Sequence, residues 1–270
     1  MLITLIYVTI FILILISLLL YNVHFTLKKN IQKLFSSVPE AIESFHLSQL
    51  NGLPVPVQQY FKHVLKPGQQ YITSVRLKHS GLFKSSEKDK WEKIKGVQYF
   101  TVSIPGFIWK GKTSLFTAVD MLLDGKGSLS VFLFSFLKIL HGKGEKYDQG
   151  ELIRWLGESV WFPTNLLPGK NLRWLEKDAL HATLHYDYNG TTISYLVSFN
   201  EKNEIISMET NRYKGSQALQ KWIGKYAEYK TRNGMLIPTI VEGAWVDNEA
   251  EDPYAIFELL EIDVNIPQPY

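Results

Sequence analysis

The 270 residues carry 29 Lys and Arg against 26 Asp and Glu, a formal net charge of +3 spread thinly along the chain, and no cysteine. That balance, without any basic run interleaved with aromatics, gives no support for a nucleic-acid reader. The missing cysteines exclude a disulfide framework, a thiolate nucleophile and a cysteine-based metal site.

The length fits one large domain or two small ones and allows a sizeable core. Aromatic residues make up 13% of the chain. Flat rings suit a pleated, half-buried surface, so this excess favours sheet.

Leu2 to Tyr21 is a charge-free run rich in Leu and Ile, long enough to cross about 30 Å of hydrocarbon as a helix. A cleaved signal peptide would carry basic residues ahead of its apolar core and a small-residue cleavage site. Neither is present around Tyr21–Phe25, so residues 2–21 read as a retained single-pass anchor. Lys28, Lys29 and Lys33 follow the span and no Lys or Arg precedes it, a bias that by the positive-inside rule leans toward a cytoplasmic domain and leaves the side of the membrane open.

Residues 22–50 read as a juxtamembrane linker, helical in part and broken at Pro39; residues 51–270 read as one β-rich domain. Pro56 suits the first turn of a helix in which Val57, Tyr60, Phe61 and Val64 form an apolar stripe, ended by Pro67-Gly68. His63 lies on that helix's other side and reads as a surface residue.

From Tyr71 the period changes to two: Val75 and Leu77 alternate with Arg76 and Lys78, up to a polar turn at Ser85–Asp89. Trp91–Ser103 and Phe107–Val119 follow as strands, Asp124-Gly125 as a tight turn, and Leu129–Leu140 as a buried strand or short core helix.

The next helix runs into Glu151–Pro168. Leu152, Trp155, Leu156 and Ser159 share a stripe, flanked by Glu151, Arg154 and Glu158 at pairing distances. Gly157 weakens it, Pro163 ends it, and Trp161 and Phe162 plug whatever it lies against.

Leu180–Tyr188 and Ile193–Phe199 form a hairpin about Asn189-Gly190, and Trp222–Thr231 and Met235–Val246 another about Asn233-Gly234. Glu204–Lys214 and Tyr254–Val264 complete a set of about ten strands and two or three helices with no βαβ alternation. The expected fold is mainly β (α+β): a large antiparallel sheet curled into an unclosed barrel, with helices across its mouth.

No phosphate-cradling glycine loop, Gly-x-Ser-x-Gly elbow or His-Glu-x-x-His occurs, so no cofactor or metal is expected. His181 and His185 share a strand face ~13 Å apart, too far to hold one ion together. Asp120 and Asp124 beside a turn, and Glu258, Glu261 and Asp263 on the last strand, are carboxylates in reach of acid–base work but also ordinary surface acids. The central segment is the stronger candidate, with the Glu158 carboxylate beside the apolar wall of Trp161 and Phe162, or simply paired with Arg154. The candidate ligand-binding residues are Trp109, Arg154, Trp155, Glu158, Trp161 and Phe162.

Four stretches carry a resemblance: Leu53–Leu65, Gln98–Trp109, Glu151–Pro168 with its specific Trp-Phe-Pro-Thr-x-Leu-Leu-Pro string, and Asn233–Thr239 with Glu242-Gly-x-x-Trp245. They resemble an uncharacterised bacterial family, DUF6544 (earlier DUF6920), over roughly residues 50–265. That family supplies no activity. The architecture is more loosely similar to LolA/LppX-like lipid carriers, which implies acyl chains on a concave sheet face and an extracytoplasmic domain.

Three functions follow. The first is a membrane-anchored domain that binds a lipid-like or hydrophobic small molecule in a half-barrel. The second is a hydrolase using Glu158 or the Asp120/Asp124 region, and the third a structural or assembly module without ligand.

Overall fold

Period-two segments between Ser74 and Val264 pair into a thirteen-stranded antiparallel sheet in the computed structural model, which describes residues 1–86, 88–214 and 218–270. The strands are β1 (Ser74–Phe83), β2 (Glu92–Thr101), β3 (Gly106–Lys112), β4 (Phe116–Leu123), β5 (Lys126–Leu133), β6 (Leu137–Lys143), β7 (Leu172–Glu176), β8 (His181–Tyr188), β9 (Thr191–Phe199), β10 (Ile205–Tyr213), β11 (Leu219–Arg232), β12 (Met235–Asp247) and β13 (Ala250–Val264). Two meanders, β6 back to β1 and β13 back to β7, meet where β1 pairs with β13. The sheet is unclosed, with β6 and β7 as its edges.

Hairpin chemistry sets this register. Asn189-Gly190 and Asn233-Gly234 both have positive φ, 49° and 77° in the first pair and 49° and 80° in the second, as the primed turns of tight hairpins require. Three strands exceed the sequence expectation. Phe107–Val119 contains β3 and the start of β4, divided at Thr113–Leu115, and Leu129–Leu140 contains most of β5 and β6. β7 carries no sequence signal of its own. The β5–β6 turn is made by Phe134 and Ser135 with φ of 52° and 68°, a left-handed turn without the glycine or asparagine that normally marks one.

The helices divide between the two faces. On the concave face lie α2 (Val55–Val64) and α3 (Glu145–Gly157). The chain leaves edge strand β6, crosses the concavity as α3 and two 3-10 turns (Glu158–Trp161 and Pro163–Leu166), and rejoins the sheet at the opposite edge as β7. α3 therefore packs against β4 and β5 on one wing and β9 and β10 on the other.

That position corrects the one-sided stripe. Glu151, Leu152, Ile153, Trp155, Leu156 and Gly157 are all buried, because sheet faces the helix from both sides. The helix also ends earlier than Pro163, at Gly157, where Tyr195 approaches too closely for a side chain and Tyr226 bonds the backbone. A Cβ there would stand 2.8 Å from Tyr195 Oη, and Tyr226 Oη donates to Gly157 O at 2.9 Å. Each fully buried large apolar side chain on this segment contributes ~1.5–3 kcal/mol.

On the convex face, α1 (Leu2–Phe35) runs unbroken through much of the stretch read as linker. Its first 20 residues are almost wholly exposed, whereas Ile31, Leu34 and Phe35 bury against Tyr99, Ile108, Val119 and Phe132. Among the described residues it is the one helix long and apolar enough to cross a membrane.

Candidate ligand site on the concave face

Strand register assembles the site. Leu77, Gln98, Trp109, Asp120 and Leu129 are successive partners across β1 to β5 and form one concave row. Arg154 of α3 reaches into that row. Its Nη1 donates to Asp120 Oδ2 at 2.5 Å and its Nε to Glu158 Oε1 at 2.9 Å. Its guanidinium lies 5.1 Å and 4.8 Å from the ring centres of Phe107 and Trp109. Gln98, fully buried, donates from Nε2 to Glu158 Oε2 at 2.6 Å. The Arg154, Asp120 and Glu158 side chains keep only 12–16% exposure, so the cluster sits just inside the protein–water boundary.

Glu151 is the buried acid. Burial, followed by the negative charge of Asp120, pushes its carboxyl up to about 8, so it holds a proton at neutral pH. Asp120 is also raised, since burial outweighs the attraction of Arg154 and Arg212. Arg212 comes from β10 on the other wing, its guanidinium 5.6 Å and 5.7 Å from the ring centres of Trp222 and Trp245. Four polar atoms of this cluster have no hydrogen-bond partner among the described residues: Asp120 Oδ1, Gln98 Oε1, Glu151 Oε2 and Arg212 Nε. Each such buried atom costs ~1–3 kcal/mol when left unpaired.

The aromatic wall is fixed from behind. Trp109 Nε1 donates to His79 Nε2 at 2.7 Å, and His79 stacks on Phe257 with ring centres 4.1 Å apart. Burial lowers the imidazole to about 4, which keeps it neutral and able to accept that bond. Trp155, Trp161 and Phe162 are fully buried beneath the cluster. The two indoles donate to backbone oxygens, Trp155 to Thr101 at 2.9 Å and Trp161 to Pro238 at 3.2 Å. Phe162 packs against Phe100, ring centres 5.0 Å apart.

The structure thus brings Trp109, Arg154, Trp155, Glu158, Trp161 and Phe162 to one region of the concave face. It separates Asp120 from Asp124, because Asp124 occupies the β4–β5 tip and pairs with Lys33 of α1. A paired role for those two aspartates is excluded by that geometry. Glu261 and Asp263 pair with Lys78 and Arg76 on the other face. His181 and His185 take separate partners, Asp178 and Ser194. Among the described residues no three His, Asp or Glu side chains converge as a metal site.

Sequence reasoning missed Gln98, Glu151, Arg212 and His79 as site residues. Period two carried signals for three of them: Gln98 shares a face with Phe100, His79 with Leu77, and Arg212 with Met208.

The molecule is therefore an unclosed antiparallel half-barrel crossed by its own edge-to-edge helix, with a buried, incompletely satisfied polar cluster beside aromatic walls. The chain belongs to the family of unknown function DUF6544, whose model matches residues 43–257. A LolA superfamily protein from Nitrosomonas europaea has a similar structure. It is 11% identical, the match covers 77% of this chain and 93% of that one, and the TM-score is 0.43. No curated protein matches the chain.

Proposed function

We propose that this chain is a membrane-anchored domain that binds an amphipathic, lipid-like molecule on the concave face. α1 is the anchor. The observation that carries the binding role is the set of four unpaired buried polar atoms, the oxygens of Asp120 and Gln98, the protonated carboxyl of Glu151 and Arg212 Nε, beside Trp109, Trp222 and Trp245. Their chemistry suits a head group bearing hydroxyl or ammonium donors, with an apolar portion lying along the aromatic walls. Trp109, Arg154 and Glu158 form the rim in this reading, and Trp155, Trp161 and Phe162 the floor.

The concave face is filled by the chain's own side chains, so this conformation is the closed one. Opening needs α3 to move off the β4–β5 wing. The contacts that latch it there are Arg154 to Asp120 and Asp148 Oδ1 accepting from Gly127 N at 2.7 Å.

A second reading, a carboxylate hydrolase, draws on Glu151, a carboxylic acid kept protonated beside Asp120. Titration of the full-length protein in detergent with a fluorescent fatty-acid analogue separates the readings. Saturable binding weakened by Asp120→Asn and Arg212→Met supports the binding domain. Turnover of ester or glycoside substrates abolished by Glu151→Gln supports the hydrolase. Neither response leaves the structural module.

A further inference from the structure

α1 also fixes which end of the sheet faces the bilayer. Lys33 pairs with Asp124 at the end of β4, and Asn30 Nδ2 lies 3.7 Å from Met121 Sδ, so α1 runs in the same direction as β4. Traced backwards, Val23 and Leu27 continue along the convex cluster toward the start of β4. From Asn30 to Tyr21 the helix rises ~13 Å, and from Met121 to Thr117 the strand covers ~13 Å. The apolar span therefore begins level with the last row of the sheet. Just beyond that row lie the tips of the β1–β2, β3–β4 and β5–β6 hairpins.

Those tips carry exposed apolar side chains: Trp91 at 37%, Leu115 at 46%, Phe134 at 56% and Leu137 at 50%. The convex row behind them is basic. Register aligns Lys95 with Lys112, then Thr117, Phe132 and Lys138, and all three lysines are exposed. Apolar and aromatic tips backed by lysines at the mouth of a membrane helix match a bilayer interface: rings enter the head-group layer and ammonium groups meet lipid phosphates.

We propose that this end of the half-barrel docks onto the membrane that α1 spans. Leu115, Phe134 and Leu137 insert, Trp91 lies at the interface, and Lys95, Lys112 and Lys138 contact anionic head groups. The proposal rests on α1 being a retained anchor. It gives the bound molecule a short route between bilayer and concave face.

The native chain has no cysteine, so single-cysteine labelling is direct. The full chain is reconstituted into vesicles of phosphatidylcholine and phosphatidylglycerol containing doxyl-labelled phosphatidylcholine, with an environment-sensitive fluorophore at Phe134→Cys, Leu115→Cys or Glu201→Cys. Glu201 is exposed in the β9–β10 connection, at the sheet's other end. The labels at 134 and 115 are expected to shift to the blue and to be quenched several-fold more than the label at 201. Lys112→Glu with Lys138→Glu should remove most of that difference. Protein that floats with the vesicles but is quenched equally at 134 and 201 overturns the docking and leaves the anchor standing. Protein that fails to float with them overturns the anchor, and the docking with it.

Discussion

Arg154 on α3 and Asp120 on β4 are joined at 2.5 Å, and this contact ties the bridging helix to one wing of an open sheet. The same guanidinium holds Glu158, so removing it leaves two carboxylates at the protein–water boundary without the cation that bridges them, Glu158 keeping only its bond from Gln98. Breaking a buried pair from one side costs ~3–5 kcal/mol. Arg154→Met should therefore lower stability by about that amount in urea denaturation, and Arg154→Lys by less, because the ammonium keeps the positive charge even though it cannot reproduce the two-pronged geometry. A change near zero would show that the cluster is hydrated and not latched.

Glu151 gives a pH dependence of defined sign. Its carboxyl is raised to about 8 in the folded chain from 4.5, so between those values the folded state holds a proton that the unfolded state has released. Its contribution is complete below about pH 4.5 and is lost as pH rises toward 8. His79 works oppositely: lowered to about 4 from 6.5, it favours folding above about pH 6.5 and loses that contribution as pH falls toward 4. From pH 6.5 to 8 the Glu151 slope stands clear of the His79 slope. Glu151→Gln should flatten the stability profile there and be the more stable protein at pH 8, by a few kcal/mol. An unchanged slope would place the proton elsewhere.

Gly190 tests the turn chemistry. Its φ is 77° and nothing lies within 4 Å of the position a Cβ would take, so the cost of a side chain is conformational and not steric crowding. Gly190→Val should destabilise by about 1 kcal/mol or more, since β-branched residues resist left-handed backbone. Thermal melting measures it, and an unchanged midpoint would contradict the primed hairpin.

Gly127 tests the seat of α3. A Cβ there would overlap the backbone of Tyr147 in the first turn of the helix, and its N–H donates to Asp148 Oδ1 at 2.7 Å. Gly127→Val should push α3 away from β5 and cost ~1–3 kcal/mol through overpacking. In the binding account it should also admit the fatty-acid probe faster, which stopped-flow fluorescence resolves. Slower or unaltered association would argue against α3 as the moving part.

The sheet was readable from sequence wherever turn chemistry was explicit. Asn189-Gly190 and Asn233-Gly234 mark hairpins because those residues tolerate positive φ, and the strands beside them alternate cleanly. The β5–β6 turn was not readable, since Phe134 and Ser135 adopt the same backbone region without the residues that favour it. At the site, Arg154, Glu158 and the aromatic plug were visible as a cluster on one segment. Glu151 was not, because a carboxylate one turn from an arginine looks like a solvated flank unless sheet is known to lie on both sides of the helix. In the sequence Asp120 stands beside Asp124, which the strand carries away to the hairpin tip and to Lys33. The partner of Asp120, Arg154, comes from α3, a contact that only the helix crossing the curled sheet creates.

In the binding reading, the unpaired polar atoms on the concave face belong to a ligand. Native mass spectrometry of the full-length protein, released gently from detergent, tests it most directly. The account predicts an adduct of a lipid-like molecule with a hydroxyl- or ammonium-bearing head group on the native chain, lost or sharply reduced in Asp120→Asn with Arg212→Met while the fold persists by circular dichroism. A native chain that flies bare, and that takes up no amphipathic lipid supplied in excess, would contradict it.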